Sequence, residues 1–301
     1  MSFRTLNPKD LKTQEWHAYM LGAIAPRPIA FVSSIDVQGR INLSPYSFFN
    51  AFGSNPPTVI FSPALRGRDG GTKHTLENVR KVDEVVINIV SHSMVNQMSL
   101  ASSEYAQGIN EFIKAGFTMQ DSVLVKPPRV KESPAQLECK VKQIIQTGVI
   151  GGAGNLVVCE ILLMHIREDV LDVQGRIDPH LIDQVARLGG DWYTRASRGL
   201  FEVAKPLTAC GIGVDSLPEE VRYSKILTGN DLGQLGNIEN MPDEADMKAY
   251  SEREDVKNFF QHLEGDTKNL TMAVHLAARQ LIDKGLPEEA LCLLMKHHGK
   301  D

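Results

Sequence analysis

The chain is poor in cysteine: Cys139, Cys159, Cys210 and Cys292 are the only four in 301 residues, and no two form a CxxC pair. Zinc knuckles and dithiol redox centres need closely spaced thiols, so both are excluded, and the four are expected to be reduced and buried. An excess of charge is also missing, with 32 Lys and Arg against 37 Asp and Glu and a formal net charge of -5. That balance gives no electrostatic footprint for nucleic acid or an anionic membrane, and neither partner is expected. No apolar run approaches the ~20 residues that span a bilayer. The N-terminus MSFRTLNPKDLKTQEW is charged throughout and is no secretory signal, so a cytoplasmic protein is expected. HExxH, P-loop and GxGxxG motifs are absent as well. The stretch GGAGN at 151–155 runs into the β-branched LVVCEILL and not into a helix, which argues against a dinucleotide loop of the Rossmann kind.

What is present is 42% hydrophobic residues, ample for a packed core. The most informative stretch runs from Pro26 to Ser62. Ile29 to Val32 is a β-branched and aromatic run that stops at Ser33 and Ser34, and Asp36 to Arg40 supplies a glycine-containing turn, so the chain reverses there. Beyond the turn, Asn42, Ser44, Tyr46, Ser47 and Asn50 put donors and acceptors among the aromatics Tyr46, Phe48 and Phe49. A packed core disfavours that mixture, whereas a planar heteroaromatic ligand with a polar edge suits it. Pro56 and Pro57 end the segment, and Thr58 to Phe61 restarts a strand.

Upstream, Lys9 to Met20 reads as a short helix and Leu21 to Ala25 as a lead-in strand. Arg27, bracketed by Pro26 and Pro28, is either pre-aimed at a phosphate or carboxylate or an exposed arginine at a strand start. Downstream, PALRGRDGGT at 63–72 holds three glycines and two arginines and leads into a helical run from Lys73 to Val82. With Arg66, Arg68, Thr72, Lys73 and Thr75 it reads either as a phosphate cradle or as a solvated turn. Val85 to Val90 is a buried strand in which Asn88 is a satisfied core amide, and Ser93 to Leu100 is a short helix. Three prolines make Val123 to Glu138 an extended, edge-like connection. Leu137 to Ile145 and Leu156 to Ile166 form a long hairpin about the glycine-rich turn Gly148 to Asn155. Pro179 to Leu188 reads as a helix ended by Gly189 and Gly190, which delivers Trp192 and Tyr193 either to the core or to the wall of a ligand site.

The motifs RPIAFVSS (27–34), NLSPYSFFN (42–50), SNPPTVIFS (54–62), TKHTLENV (72–79) and EVVINIVS (84–91) follow an order and spacing that resembles the flavin reductase-like family of FMN-binding split barrels, the branch that includes flavoredoxin. The resemblance continues through NEFIKAGF (110–117), VKPPRVKESPAQLEC (125–139) and RLGGDWYTR (187–195). It implies a mainly β fold with α, a Greek-key split β-barrel over 1–210, followed by a linker and helical C-terminal extension over 211–301. It also implies FMN as cofactor, NADH or NADPH as electron donor, a homodimer, and hydride transfer to the flavin. The alternative is a flavoredoxin-type FMN carrier reduced by a redox partner protein. The FMN contacts implied are Arg27, Ser33, Ser34, Ser44, Tyr46, Ser47, Phe48, Phe49, Asn50, Ser62, Arg66, Lys73 and Thr75. The family usually reads Lys-Asp-Thr where this chain has Lys73-His74-Thr75, so the part played by His74 stays open. His180 falls where related reductases can carry a histidine near the flavin, and it is the one catalytic candidate.

From Gly211 the chain changes character. Leu217 to Gly236 is polar, and residues 241–266, Thr267 to Lys284 and Pro287 to His298 read as three helices. Leu270, Ala273, Val274, Ala277, Ala278 and Leu281 follow helical spacing and bury one face. His297 and His298 are expected to be a solvated tail.

Overall fold

Only two residues separate Tyr46 from Phe49, yet the strands they bound lie at opposite edges of one sheet. The computed structural model describes residues 1–203, 209–262 and 267–299. In chain order its first unit, Met1–Leu200, runs α1 (Thr13–Ala23), β1 (Ala30–Ile35), β2 (Ile41–Tyr46), β3 (Phe49–Ser54), β4 (Pro57–Phe61), α2 (His74–Val79), β5 (Glu84–Ile89), α3 (Val95–Leu100) and α4 (Glu111–Ala115). It continues with a two-residue ribbon, β6 (Met119–Gln120) and β7 (Arg129–Val130). A long hairpin follows, β8 (Ala135–Gln146) and β9 (Asn155–Ile166), and then a short one, β10 (Val185–Arg187) and β11 (Tyr193–Arg195).

Seven strands form one antiparallel sheet in the order β2-β1-β5-β8-β9-β4-β3. Three peptide units span about 11 Å at most, whereas seven strands laid flat at ~4.8 Å spacing would be about 29 Å across. The sheet is therefore rolled until its edges meet at Ser47 and Phe48, which makes it a split barrel. Side chains alternate across β1: Ala30 and Val32 join Tyr46, Phe61 and Val157 in one core, while Ile29 and Phe31 join Leu43, Met98 and Phe112 in another. Leu76 and Val79 of α2 close the first core, and α3 and α4 cover the second. Asn88 is satisfied in the core, its amide donating to Phe31 O at 2.9 Å and its oxygen accepting Val130 N–H at 2.9 Å.

Three expectations about elements are corrected. Leu21 to Ala23 continue α1, with Ile24 N–H bonded to Met20 O at 2.8 Å; the stop comes only at Pro26, which disfavours helix for Ala25. Residues 179–184 form no helix. Asp178 Oδ1 captures the N–H groups of His180 and Leu181 (2.7 and 3.1 Å), and Asp183 adopts φ 47°, so the chain turns and enters β10 as a strand. Asp183 is held there by Arg195 (2.7 Å) and Ser197 (2.6 Å), and the Arg195 bond pulls its carboxyl down to about 2. Cys139 and Cys159 are buried and Cys292 is half-buried, but Cys210 lies outside any helix or strand and is exposed.

The second unit, Phe201–Asp301, contains α5 (Glu219–Arg222), α6 (Gly229–Gly236), α7 (Glu244–Glu252), α8 (Glu254–Gln261), α9 (Thr267–Asp283) and α10 (Pro287–His298). Its own core gathers Leu217, Leu235, Val274, Ala278, Leu291 and Leu294. The single helix expected over 241–266 is two, because Arg253 between α7 and α8 takes the extended ψ of 135°; residues 263–266 of that expectation lie outside the described residues. Gly285, at φ 74°, ends α9, and Pro287 opens α10, so the two helices fold back on each other. That fold-back overturns the solvated histidine tail. His297 Nε2 meets Thr271 Oγ1 at 2.8 Å, His298 Nε2 meets His275 Nε2 at 2.8 Å, and His275 Nδ1 meets Ser224 Oγ at 2.8 Å.

Candidate functional site

Two hollows in the first unit meet at Pro45 and Ser102. The first, about 120 Å³, is lined by Ser44, Arg66, Thr72, Lys73, His74, Ser102 and Ser103, among others. Its cations sit on the glycine-rich loop. Arg66 N–H bonds Gly71 O at 2.9 Å and Gly70 N–H bonds Arg66 O at 2.8 Å, which curls the loop on itself. Leu65 is tied to the β8–β9 turn by its N–H to Ala153 O (2.8 Å) and its carbonyl to Gly152 N–H (3.0 Å). A Cβ at Gly71 would lie 2.6 Å from Arg66 Nη2, so a side chain there would push the guanidinium out of its place.

The hollow carries the positive charge of Arg66 and Lys73. Arg66 Nε is buried without a hydrogen bond, 3.4 Å from Asp69 Oδ1. The Lys73 ammonium stands 5.5 Å from the centre of the Tyr46 ring. Lys73 is surface-exposed, but crowding around its ammonium lowers its pKa; Arg66 adds to that drop and Glu104 opposes it. Glu104 itself is paired to Arg68 at 2.5 Å. Glu111, also in the lining, accepts Leu43 N–H at 2.9 Å, and burial raises its pKa.

The second hollow, about 160 Å³, is lined by Ile29, Pro45, Ser47, Met98, Arg187 and Tyr193, with Ser99 and Ser102. The Arg187 guanidinium lies 4.5 Å from the Tyr193 ring centre, and its Nη2 donates to Gly190 O at 2.6 Å, so the aromatic wall and the β10–β11 turn hold one another. Trp192, at the turn, is exposed.

The structure thus brings Ser44, Arg66 and Lys73 to one hollow and Ser47 to its neighbour, the two sharing Pro45 and Ser102. Thr75 and Tyr46 lie beneath the first. Thr75 is fully buried and accepts from Asn42 Nδ2 at 2.8 Å. Tyr46 is a core residue packed on Phe61, with its hydroxyl beside Ser44 and Thr75 but closing no hydrogen bond; burial pushes its phenol up to about 12. The remaining expected residues are placed elsewhere. Arg27 is buried, with its guanidinium donating to the carbonyls of Leu21 (2.8 Å), Ile24 and Leu188 (2.9 Å), so it is neither an exposed arginine nor open to an anion. Ser33 and Ser34 are buried in β1, Ser34 Oγ accepting from Asn78 at 3.1 Å. Ser62 is buried and accepts Asn155 N–H at 3.0 Å. Phe48 meets His17 edge-on at 6.2 Å, Phe49 packs on the barrel core, and exposed Asn50 bonds the N–H of its neighbour Ala51. His180 is exposed in a turn and lines neither hollow. Met98, Ser102 and Ser103 complete the cleft from a segment whose sequence carries no binding signal.

A hollow of cations and hydroxyls joined to one with an apolar and aromatic wall fits a flavin mononucleotide, whose anionic phosphate and planar ring call for those two environments. Among the described residues no group of three or more His, Cys, Asp or Glu could hold a metal ion, and no helix is long and apolar enough to cross a membrane.

Similarity to other proteins agrees with this geometry. The profile described as "Flavin reductase like domain" matches residues 21–180. An uncharacterized protein of Aquifex aeolicus is 34% identical over 188 residues, covering 62% of this chain and 93% of its own length. Nitrilotriacetate monooxygenase component B from Bacillus cereus superposes with a TM-score of 0.63 at 28% identity, over 67% of this chain and all of its own. The 2-nitrobenzoate 2-nitroreductase of Pseudomonas fluorescens gives 0.61 at 28% identity, over 70% of this chain and all of its own. With the profile spanning both the barrel strands and the cationic loop, the chain belongs to the flavin reductase-like family.

Proposed function

We propose that this protein is an FMN-dependent oxidoreductase whose flavin is reduced by NADH or NADPH. The observation that carries the reading is the joining of the Arg66–Lys73 hollow to the Tyr193-walled hollow across Pro45 and Ser102. Arg66 and Lys73 repel one another, and a phosphate between them converts that repulsion into two charge-assisted contacts. Ser44 adds a hydroxyl donor at the same place, whereas the Thr72 hydroxyl is already given to Glu77 at 2.5 Å. Ser47 offers a hydroxyl to the polar edge of the ring, while Met98 and Tyr193 wall the apolar hollow and exclude water. Bound flavin supplies the capacity to accept a hydride and pass electrons on. The chain's own part is orientation: Asn42, Thr75 and Tyr46 support the cleft from beneath, and Arg187 braces Tyr193. No acid–base residue is needed, which agrees with His180 lying outside the cleft.

The likeness to a monooxygenase component and to a nitroreductase supports electron delivery, to a second protein or to a small acceptor. The reading includes a homodimer. Hollows of about 160 and 120 Å³ are each below the ~300 Å³ of a typical ligand pocket. Trp192, 76% exposed beside Tyr193, is a side chain that a second copy would cover.

The test is to load the purified protein with FMN, record its visible spectrum, and add NADH or NADPH without oxygen. Bleaching of the yellow colour within a turnover time supports the reductase. A yellow protein that stays unbleached points instead to a carrier reduced by a partner protein, and a protein that cannot be loaded overturns the flavin site.

A further inference from the structure

His74 opens α2 directly after Lys73, is half-buried, and lines two hollows at once. One is the hollow of Arg66 and Lys73; the other is a polar recess beside it, bounded by Asp36, Arg40, Asn42, Asn78 and Gln107 among others. On the recess side the polar groups already have partners. Arg40 Nε and Asp36 Oδ2 close at 2.5 Å, Asn42 donates to Thr75 at 2.8 Å and Asn78 to Ser34 at 3.1 Å.

On the other side the fixed charges match in number. Arg66, Arg68 and Lys73 stand against Asp69, Glu104 and Glu111: Asp69 lies 3.4 Å from Arg66 and 3.6 Å from Arg68, Glu104 closes on Arg68 at 2.5 Å, and Lys73 and Glu111 share the lining with Tyr105. Glu77, on α2 itself, holds the Thr72 hydroxyl at 2.5 Å. A phosphate monoester carries about two negative charges above roughly pH 6, and this set offers it no net positive charge. The imidazole of His74 is the group of the lining that can take up a further positive charge near neutral pH.

Glu111 is the second observation. It is 3% exposed and accepts Leu43 N–H at 2.9 Å, so α4 fixes an acid in the lining of a hollow that fits an anion. A carboxylate there repels a phosphate unless a cation stands by it. Burial raises the Glu111 pKa, while the N–H groups of Leu43 and of Glu111 itself and the charge of His74 oppose the rise, so His74 lies within electrostatic reach of this acid.

We propose that His74 is a further FMN-binding residue, one that takes up a proton as the phosphate enters: the imidazolium supplies the positive charge the loop lacks, and Glu111 holds that charge in place. The inference rests on the flavin reading of the cleft. FMN affinity then increases as the pH falls toward 6.5, whereas that of riboflavin, which has the ring and no phosphate, does not. The ligand is not the source of such a gain, because its second ionisation, near about 6, lowers its charge over the same fall.

The test is fluorescence titration of the full-length, flavin-free protein with FMN and with riboflavin, in phosphate-free buffer at pH 6.5 and pH 8.5. FMN is expected to bind about threefold to tenfold more tightly at the lower pH, and riboflavin equally at both. His74→Asn should remove most of the gain; Lys73, which also loses charge on the alkaline side, is untouched in that variant, so the two are separated. Glu111→Gln keeps an acceptor for Leu43 N–H and removes the charge, which should move the gain to lower pH. Should His74→Asn misfold, calorimetry of FMN binding to the wild type at pH 7.5 in two buffers of unlike ionisation enthalpy counts the protons directly, and no uptake would overturn the proposal. An equal pH response for FMN and riboflavin, or a wild-type response in His74→Asn, would overturn it with the flavin site intact. A protein that binds neither flavin would overturn the flavin reading itself, and the role of His74 with it.

Discussion

Asn42 on β2 donates from Nδ2 to Thr75 Oγ1 on α2 at 2.8 Å, and both side chains are buried. This one bond joins the edge strand of the barrel to the helix that follows the cationic loop, directly beneath Lys73. Thr75→Val removes the acceptor and leaves a buried amide unpaired, which should cost about 1–3 kcal/mol in urea unfolding. FMN affinity should fall as a consequence, and Thr75→Ser should retain both properties. Wild-type stability in Thr75→Val would show that the bond does not join the two elements.

Lys73 should separate binding from folding. Its side chain is exposed, so Lys73→Ala is expected to leave the unfolding midpoint in place while weakening FMN about tenfold or more. Fluorescence titration of the free flavin reads the change. Unaltered affinity would remove Lys73 from the phosphate site.

Gly71→Ala probes the cradle without removing any donor. The new Cβ would stand 2.6 Å from Arg66 Nη2 and 2.9 Å from Nε, and the guanidinium, at the end of a flexible side chain, must swing away. Weaker FMN binding at nearly constant stability is the expected outcome, read by the same titration together with thermal unfolding.

Arg27 should behave in the opposite way. Its guanidinium holds the end of α1 and the residue after β10 through three carbonyls, and Lys cannot reproduce that fork. Arg27→Lys is expected to lower stability by about 2–3 kcal/mol. The FMN affinity of the folded fraction should stay as it was, and a selective loss of affinity would return Arg27 to the flavin site.

The histidine cluster predicts a pH dependence in the second unit. Burial, with His297 and His275 nearby, lowers His298 from its ordinary value to about 4, while Glu220 opposes the shift; His275 and His297 are lowered as well, mainly by burial. The unfolded chain takes up these protons near 6.5, whereas folded His298 takes up its own only near 4 and His275 and His297 are shifted in the same direction. Stability is therefore fully present above about pH 6.5 and is lost as the pH falls from there toward 4. Hydrogen-exchange protection of α9 and α10, taken relative to the intrinsic exchange rate at each pH, should be higher at pH 7.5 than at pH 5, with His298→Gln flattening the difference. Equal protection at the two pH values would contradict this.

Much of the frame was legible in the residues. The β8–β9 hairpin, the buried strand holding Asn88 and the α9–α10 pair followed from periodicity and from glycine and proline positions, because those signals act within a few residues. The cationic loop was legible for the same reason, since Arg66, Lys73 and the glycines are close neighbours in sequence. Failures came where a local pattern competed with a long-range partner. Residues 179–188 lost their helix to the Asp178 turn and to pairing with β11, and His297 and His298 lost their solvation to α9.

The sequence by itself determined the family, the order of strands along the chain and the stretch that carries the cleft, because turn chemistry and motif spacing are local properties. Only the tertiary structure decided which side chains face the cleft. A strand such as β1 is buried on both faces, so its alternation does not say which way Ser33 or Ser34 serves, and a guanidinium such as that of Arg27 reads alike whether it meets a phosphate or a backbone carbonyl. That Ser102 and Pro45, and Tyr193 and Met98, line one hollow depends on segments far apart in sequence packing on the same sheet, and contacts of that range are set by the fold as a whole.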